Sequence, residues 1–93
     1  MIIIAGYSLT QNAIERDAAV AAFADMVTRA RKADGCLDVA ISADSVDPER
    51  INVLECWRDQ EALKAWRKVA KGPRFKARES HVKLYRSDKA EQP

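Results

Sequence analysis

Few side chains in this sequence can do chemistry, and two stand out by position as well as type. His81 is the one histidine, so it is the one side chain whose ordinary pKa lies close to neutrality. Glu55 is a carboxylate inside the strand-like run Ile51-Asn52-Val53-Leu54-Glu55-Cys56-Trp57. A carboxylate buried there must be paired or carry a raised pKa. Arg50, Arg58 and Lys83 could pair it; unpaired, it is a second candidate base. General acid–base catalysis is the chemistry open to such residues. Metal chemistry is not expected, because one histidine and the two cysteines Cys36 and Cys56 do not supply a zinc ligand set. The cysteines are too few for a disulfide framework and read as free thiols acting as small hydrophobes. Gly6, Gly35 and Gly72 stand alone, so there is no Gly-rich phosphate loop, and no G-x-S-x-G turn occurs. No cofactor is expected.

The elements that must position these residues follow from periodicity. Ile2 to Leu9 reads as a strand, with Ile2, Ile4 and Gly6 on one face and Ile3, Ala5, Tyr7 and Leu9 on the other. Asn12 to Ala33 reads as a helix. Asn12 and Glu15 form a capping pattern, Ala19, Val20, Phe23, Met26, Val27 and Ala30 form its apolar stripe, and Gly35 is its stop. Cys36 to Asp44 is a second strand, with Leu37, Val39, Ile41 and Ala43 on one face and Cys36, Asp38, Ala40 and Ser42 on the other. The turn Asp44-Ser45-Val46-Asp47-Pro48 joins it to a third strand, Arg50 to Arg58. Asp59 caps a second helix running to about Lys71, where Gly72-Pro73 ends it. His81 to Arg86 alternates as a fourth strand.

This order is β-α-β-β-α-β. The expected fold is α+β and ferredoxin-like, a four-stranded antiparallel sheet with both helices on one face. At 93 residues, 47% apolar and 32% charged, the chain is expected to be one globular domain over 1–87 with a polar tail over 88–93. No apolar run approaches the ~18 residues that span a bilayer. Met1-Ile2-Ile3-Ile4-Ala5 has no basic leader character, so a cytoplasmic location is expected. The charge is uneven: residues 1–56 carry five basic and nine acidic side chains, residues 57–93 eleven and five. Lys64, Arg67, Lys68, Lys71, Arg74, Lys76 and Arg78 have no acid between them. Such a run is a solvated face or an attractor of anions. Only Trp66 and Phe75 interleave it, too few to stack bases, so nucleic acid is not an expected partner.

Three stretches resemble a known family: Gly35-Cys36-Leu37, Asp47-Pro48-Glu49-Arg50, and Glu55-Cys56-Trp57-Arg58-Asp59-Gln60-Glu61-Ala62-Leu63. They are similar to the antibiotic biosynthesis monooxygenases, dimeric α+β barrel proteins, over roughly residues 2 to 86. The resemblance implies oxidation of a phenolic or hydroquinone-type aromatic by O₂ without metal or flavin, in a pocket between sheet and helices. An alternative is a non-catalytic small-ligand-binding dimer of the same fold. Haem-degrading relatives carry a second Trp nine residues after the first, as in Trp57 and Trp66, and a haem-ligating His where Lys76 stands here.

The implied substrate-binding residues are Trp57, Trp66 and Glu55, and the implied catalytic ones His81, Tyr7 and Asn52. Trp57 matches the family's tryptophan at the end of the third strand, as a pocket wall or as core joining sheet to helix. Asn52 is a candidate donor, although the family's Asn position is Val53 here and the pleat turns Asn52 to the other face. His81 would be a base toward a phenol or an exposed strand-end residue. Tyr7 would donate to a quinol oxygen or sit in an interface.

Several strands are apolar on both faces, and a second copy packed sheet to sheet would cover the face that the helices leave bare. Burial at ~25 cal/mol per Å² of apolar surface would drive that association. Light scattering at micromolar concentration is therefore expected to give a particle near twice the 10.4 kDa chain mass. A monomer would remove the argument from two-sided burial.

Overall fold

The computed structural model describes residues 1–93 and contains β1 (Ile2–Leu9), α1 (Ala13–Arg31), β2 (Cys36–Ala43), β3 (Arg50–Trp57), α2 (Gln60–Val69) and β4 (Glu79–Arg86). The strands form one antiparallel sheet in the order β2-β3-β1-β4. The fold is α+β and ferredoxin-like, as the alternation and capping patterns imply. No helix is long and apolar enough to cross a membrane.

The helix starts follow the capping chemistry. Asn12 Oδ1 accepts from the Glu15 N–H at 2.8 Å, and Glu15 Oε2 accepts from the Gln11 N–H at 3.1 Å. Asp59 Oδ1 accepts from the Ala62 N–H at 2.8 Å. Both helices end sooner than expected. The backbone of α1 leaves the helix after Lys32, its C-cap, and Gly35 follows in the left-handed region at φ 78°. Ala70 turns extended directly after α2, ahead of Gly72-Pro73. The last strand begins two residues early, because Glu79 and Ser80 pair with Leu9 and Ser8.

One face expectation is corrected. Cys36 pairs with Trp57, yet Asp38 pairs with Cys56, so Leu37 is an extra residue in a β-bulge. Leu37 is 56% exposed instead of joining Val39 and Ile41, and Cys36 packs against the core.

On the helix side of the sheet, Ile2, Ile4, Val39 and Trp57 meet Val27 and Ala30 of α1 and Ala62, Leu63 and Trp66 of α2. Arg16 joins this side unannounced by the pattern. It is buried, and its Nη1 donates to the carbonyls of Asp47 (3.1 Å) and Arg50 (3.2 Å), fastening α1 to the hairpin turn. The other face of the sheet carries no helix.

Gly6 lies opposite Val82 of β4, with no room for a side chain between the strands. It sits at φ 149°, and a Cβ there would lie 2.0 Å from the His81 carbonyl oxygen. Gly6→Ala is expected to cost at least ~3 kcal/mol, read as a lower urea midpoint with the slope retained.

Candidate active site

The pleat of β1 and β3 divides the potentially reactive side chains between two sites. On the helix side, Trp57 is completely buried and its Nε1–H donates to Glu55 Oε1 at 3.0 Å. Its ring stacks on Trp66, with centroids 6.1 Å apart and planes 23° apart. Glu55 therefore has an indole as its partner, and none of the three cations expected for it. Arg58 is held by Asp59 at 3.0 Å and Asp34 at 3.4 Å. Arg50 and Lys83 belong to the opposite face of the sheet.

Beyond Glu55 lies a cavity of about 220 Å³. The sheet lines it with Ser8, Ile41, Ile51, Val53 and Glu55, α1 with Phe23 and Met26, and the segment after α2 with Phe75. Its walls are apolar apart from a hydroxyl and a carboxylate. Ser8 Oγ lies 3.3 Å from Ser80 Oγ on β4. Such a chamber can hold a small aromatic ring with one polar substituent toward Glu55. Trp57 is behind this cavity and does not line it. Trp66 borders a different depression of about 380 Å³, beside Ala33, Asp34, Arg58 and Glu61.

The helix-free face gathers Tyr7, His81 and Asn52. The Tyr7 and His81 rings stack with centroids 4.8 Å apart, and the Arg50 guanidinium lies 4.0 Å from the Tyr7 ring centroid on β1. Arg50 Nε donates to Asn52 Oδ1 at 2.7 Å, and Asn52 Nδ2 donates to Asp44 Oδ1 at 2.9 Å. His81 Nε2 lies 3.2 Å from Glu79 Oε1. The three residues expected to be catalytic thus share one face, and the three expected to bind substrate lie on the other side of the sheet. They do not form one site.

The cavity residues Ser8, Phe23, Met26 and Phe75 were not singled out from the sequence. Phe23 and Met26 stand on the apolar stripe, where packing and ligand contact look alike. Ser8 shares the parity of Ile2 and Ile4, which is the signal that could have found it. The two cysteines are free, and burial is the main cause that pushes both thiols up, with the Asp38 charge adding to it.

A sequence model of the family described as "Antibiotic biosynthesis monooxygenase" matches residues 2–78. Among solved structures, a candidate antibiotic biosynthesis monooxygenase of Deinococcus radiodurans is 17% identical with a TM-score of 0.70, covering 99% of this chain and 97% of its own. One from Nitrosomonas europaea is 17% identical with a TM-score of 0.72, covering 94% and 98%. The heme-degrader MhuD of Mycobacterium tuberculosis, solved with two hemes bound in its active site, is 15% identical with a TM-score of 0.63, covering 94% and 95%. No curated protein sequence matches the chain.

Asp44 ties the polar network of the helix-free face to the hairpin turn. The Asp47 backbone N–H is the main cause, followed by Asn52 and the Val46 N–H, that holds its carboxyl down at about 2. A lowered native pKa means that the ionised form supports the fold above the ordinary value of 3.8, and this support is lost as pH falls through about 2. The stability advantage of the wild type over Asp44→Asn is expected to shrink across that window in acid denaturation. Parallel curves from neutral pH down to about 2 would contradict it.

Proposed function

The chain belongs to the antibiotic biosynthesis monooxygenase family, and on that premise we propose that it oxidises a small phenolic or hydroquinone-type aromatic with O₂. The observation that carries the proposal is a carboxylate, Glu55, fixed by an indole N–H at the wall of a mostly apolar cavity. A phenol in that cavity would give its proton to Glu55. The phenolate then passes one electron to O₂, and the resulting radical pair combines at a ring carbon to form a hydroperoxide. Loss of water from that carbon leaves a quinone carbonyl. One oxygen atom of O₂ ends in the product and the other in water, which also carries away the phenolic and the ring hydrogen. O₂ supplies the whole oxidising capacity, so the reaction needs no reductant and no cofactor.

In this reading the protein positions the ring, excludes water and moves one proton. The Ser8 hydroxyl, on the cavity wall, would donate to the developing oxygen charge. Trp57 acts through Glu55 as a positioning residue. Haem degradation is the less supported reading, because the cavity wall carries no imidazole or thiolate and His81 is stacked on Tyr7 across the sheet.

We read the working unit as a cytoplasmic homodimer. Ile3, Ala5, Leu9 and Leu54 are only half-buried on the helix-free face and Tyr85 is 52% exposed, which a second copy packed on that face would cover. A non-catalytic ligand-binding dimer is the second reading. It is favoured by the Glu55–Trp57 bond, which alone would account for a carboxylate in the core.

Oxygen uptake by metal-free protein with a panel of hydroquinones and phenols separates the two readings. The wild type is expected to exceed the protein-free control with at least one member. Glu55→Gln keeps an acceptor for the Trp57 N–H, so its melting temperature should stay near that of the wild type. Its turnover should fall by about 10²–10⁴, the usual contribution of a positioned base. No acceleration by any member would leave the binding dimer as the reading.

A further inference from the structure

One segment of the chain is held differently from the rest. Residues 72–77, between α2 and β4, make no backbone hydrogen bond. Their two ends are pinned. Gly72 packs so closely on α1 that a Cβ there would lie 2.8 Å from Met26 Sδ. At the far end the Arg78 N–H donates to the Leu9 carbonyl at 2.8 Å, and Arg78 Nη2 donates to Glu49 Oε1 at 3.3 Å. Between these anchors the aromatic contact is Phe75, set edge-on to Phe23 with centroids 5.8 Å apart and planes at 84°. A span with few backbone bonds and fixed ends opens at low cost.

Phe75 is also a shared wall. It lines the cavity beside Glu55, and it lines a second groove of about 400 Å³ on the outer side of the segment. The floor of that groove is Ala18, Ala19 and Ala22 of α1, and Arg74 and Lys76 stand at its edge. Arg74 and Lys76 flank Phe75 in the chain and line the groove with it. Neither cation has an ion-pair partner. The one acid lining the groove, Glu15, accepts from the Gln11 N–H.

We propose that residues 71–78 are a strap in which Phe75 gates the passage between groove and cavity, and that Arg74 and Lys76 select aromatic ligands bearing an anionic substituent. The aromatic ring enters the cavity, and the anion stays in the groove between two cations over an alanine floor. This rests on the reading of the cavity as the substrate site and narrows its substrate class to anionic aromatics. Two cations against the single carboxylate of Glu15 leave the groove lining net positive, which raises the local concentration of such ligands.

The test compares two probes that differ by one anionic group, 8-anilinonaphthalene-1-sulfonate and uncharged N-phenyl-1-naphthylamine, by fluorescence titration at low salt. The sulfonate is expected to bind about tenfold or more tightly, the scale of one charge-assisted hydrogen bond. Added salt should narrow the gap. In the R74A/K76A double variant the sulfonate should lose that advantage while the uncharged probe keeps its affinity. K64A/K68A, which removes two exposed cations of α2, should leave both affinities unchanged. Phe75→Ala should speed association of both probes in stopped flow. The strap is overturned if neither probe binds folded protein, if R74A/K76A has no selective effect, or if K64A/K68A matches it. These readouts do not require turnover. A null oxygen-uptake result with intact selectivity removes the oxygenase reading alone, and the converse removes the strap alone.

Discussion

The helix side of this molecule is organised around one bond, from the Trp57 indole N–H to Glu55. Trp57 is the last residue of β3, paired with Ile2 on one side and Cys36 on the other, and no part of it reaches solvent. An indole N–H in that position needs an acceptor. The carboxylate two residues earlier on the same face of the strand supplies it. The stack of Trp57 on Trp66 then fixes α2 against the sheet. Only Oε1 of Glu55 is used in this bond, and no buried side-chain oxygen in the protein lacks a partner. The second carboxylate oxygen is therefore open to solvent or to whatever fills the cavity. A bond that completes the core also leaves a carboxylate oxygen free of protein partners.

The two-residue period of the sheet explains why the reactive residues separate. Ser8 and Glu55 have the parity that faces the helices; Tyr7, Asn52 and His81 have the other. Cross-strand register then assembles each set: Tyr7 lies between Asn52 and His81, and Ile4 beside Glu55. On the helix-free face the result is a polar cluster in which each member has a partner. Arg50 covers Tyr7 and bonds Asn52, Asn52 bonds Asp44, and His81 stacks on Tyr7. That arrangement pins the Asp44–Asp47 turn to the sheet from one side while Arg16 holds it from the other.

The strand alternation, the Asn12 and Asp59 caps and the Gly35 stop were legible in the sequence because each is a local pattern with one physical meaning. So was the separation of Asn52 from Trp57, which needs only the pleat. The bulge at Leu37 was not, since one inserted residue leaves the apolar alternation looking unbroken. Nor was the role of Arg16. A lone arginine on a helix reads as solvated until the fold brings the Asp47 and Arg50 carbonyls to it. The partner of Glu55 was missed for a related reason. The sequence offers Glu55 three cations, while its actual donor is a neutral ring two positions along the same strand.

The uneven charge of the chain also resolves into two physical situations. In the acidic half, Asp44 pairs with Arg50, Asp34 with Arg58 and Glu49 with Arg78, so the carboxylates are spent on joining elements. Of the seven cations from Lys64 to Arg78, Arg78 alone forms an ion pair. The other six are exposed and unpaired on α2 and the segment that follows it. Exposed charges without partners contribute little to folding, and like charges so close together repel. Their positions are therefore not explained by the stability of the chain. What Arg74 and Lys76 change is the potential over the groove whose wall, Phe75, is shared with the inner cavity. Charge that does nothing for the fold at that point acts on what approaches it.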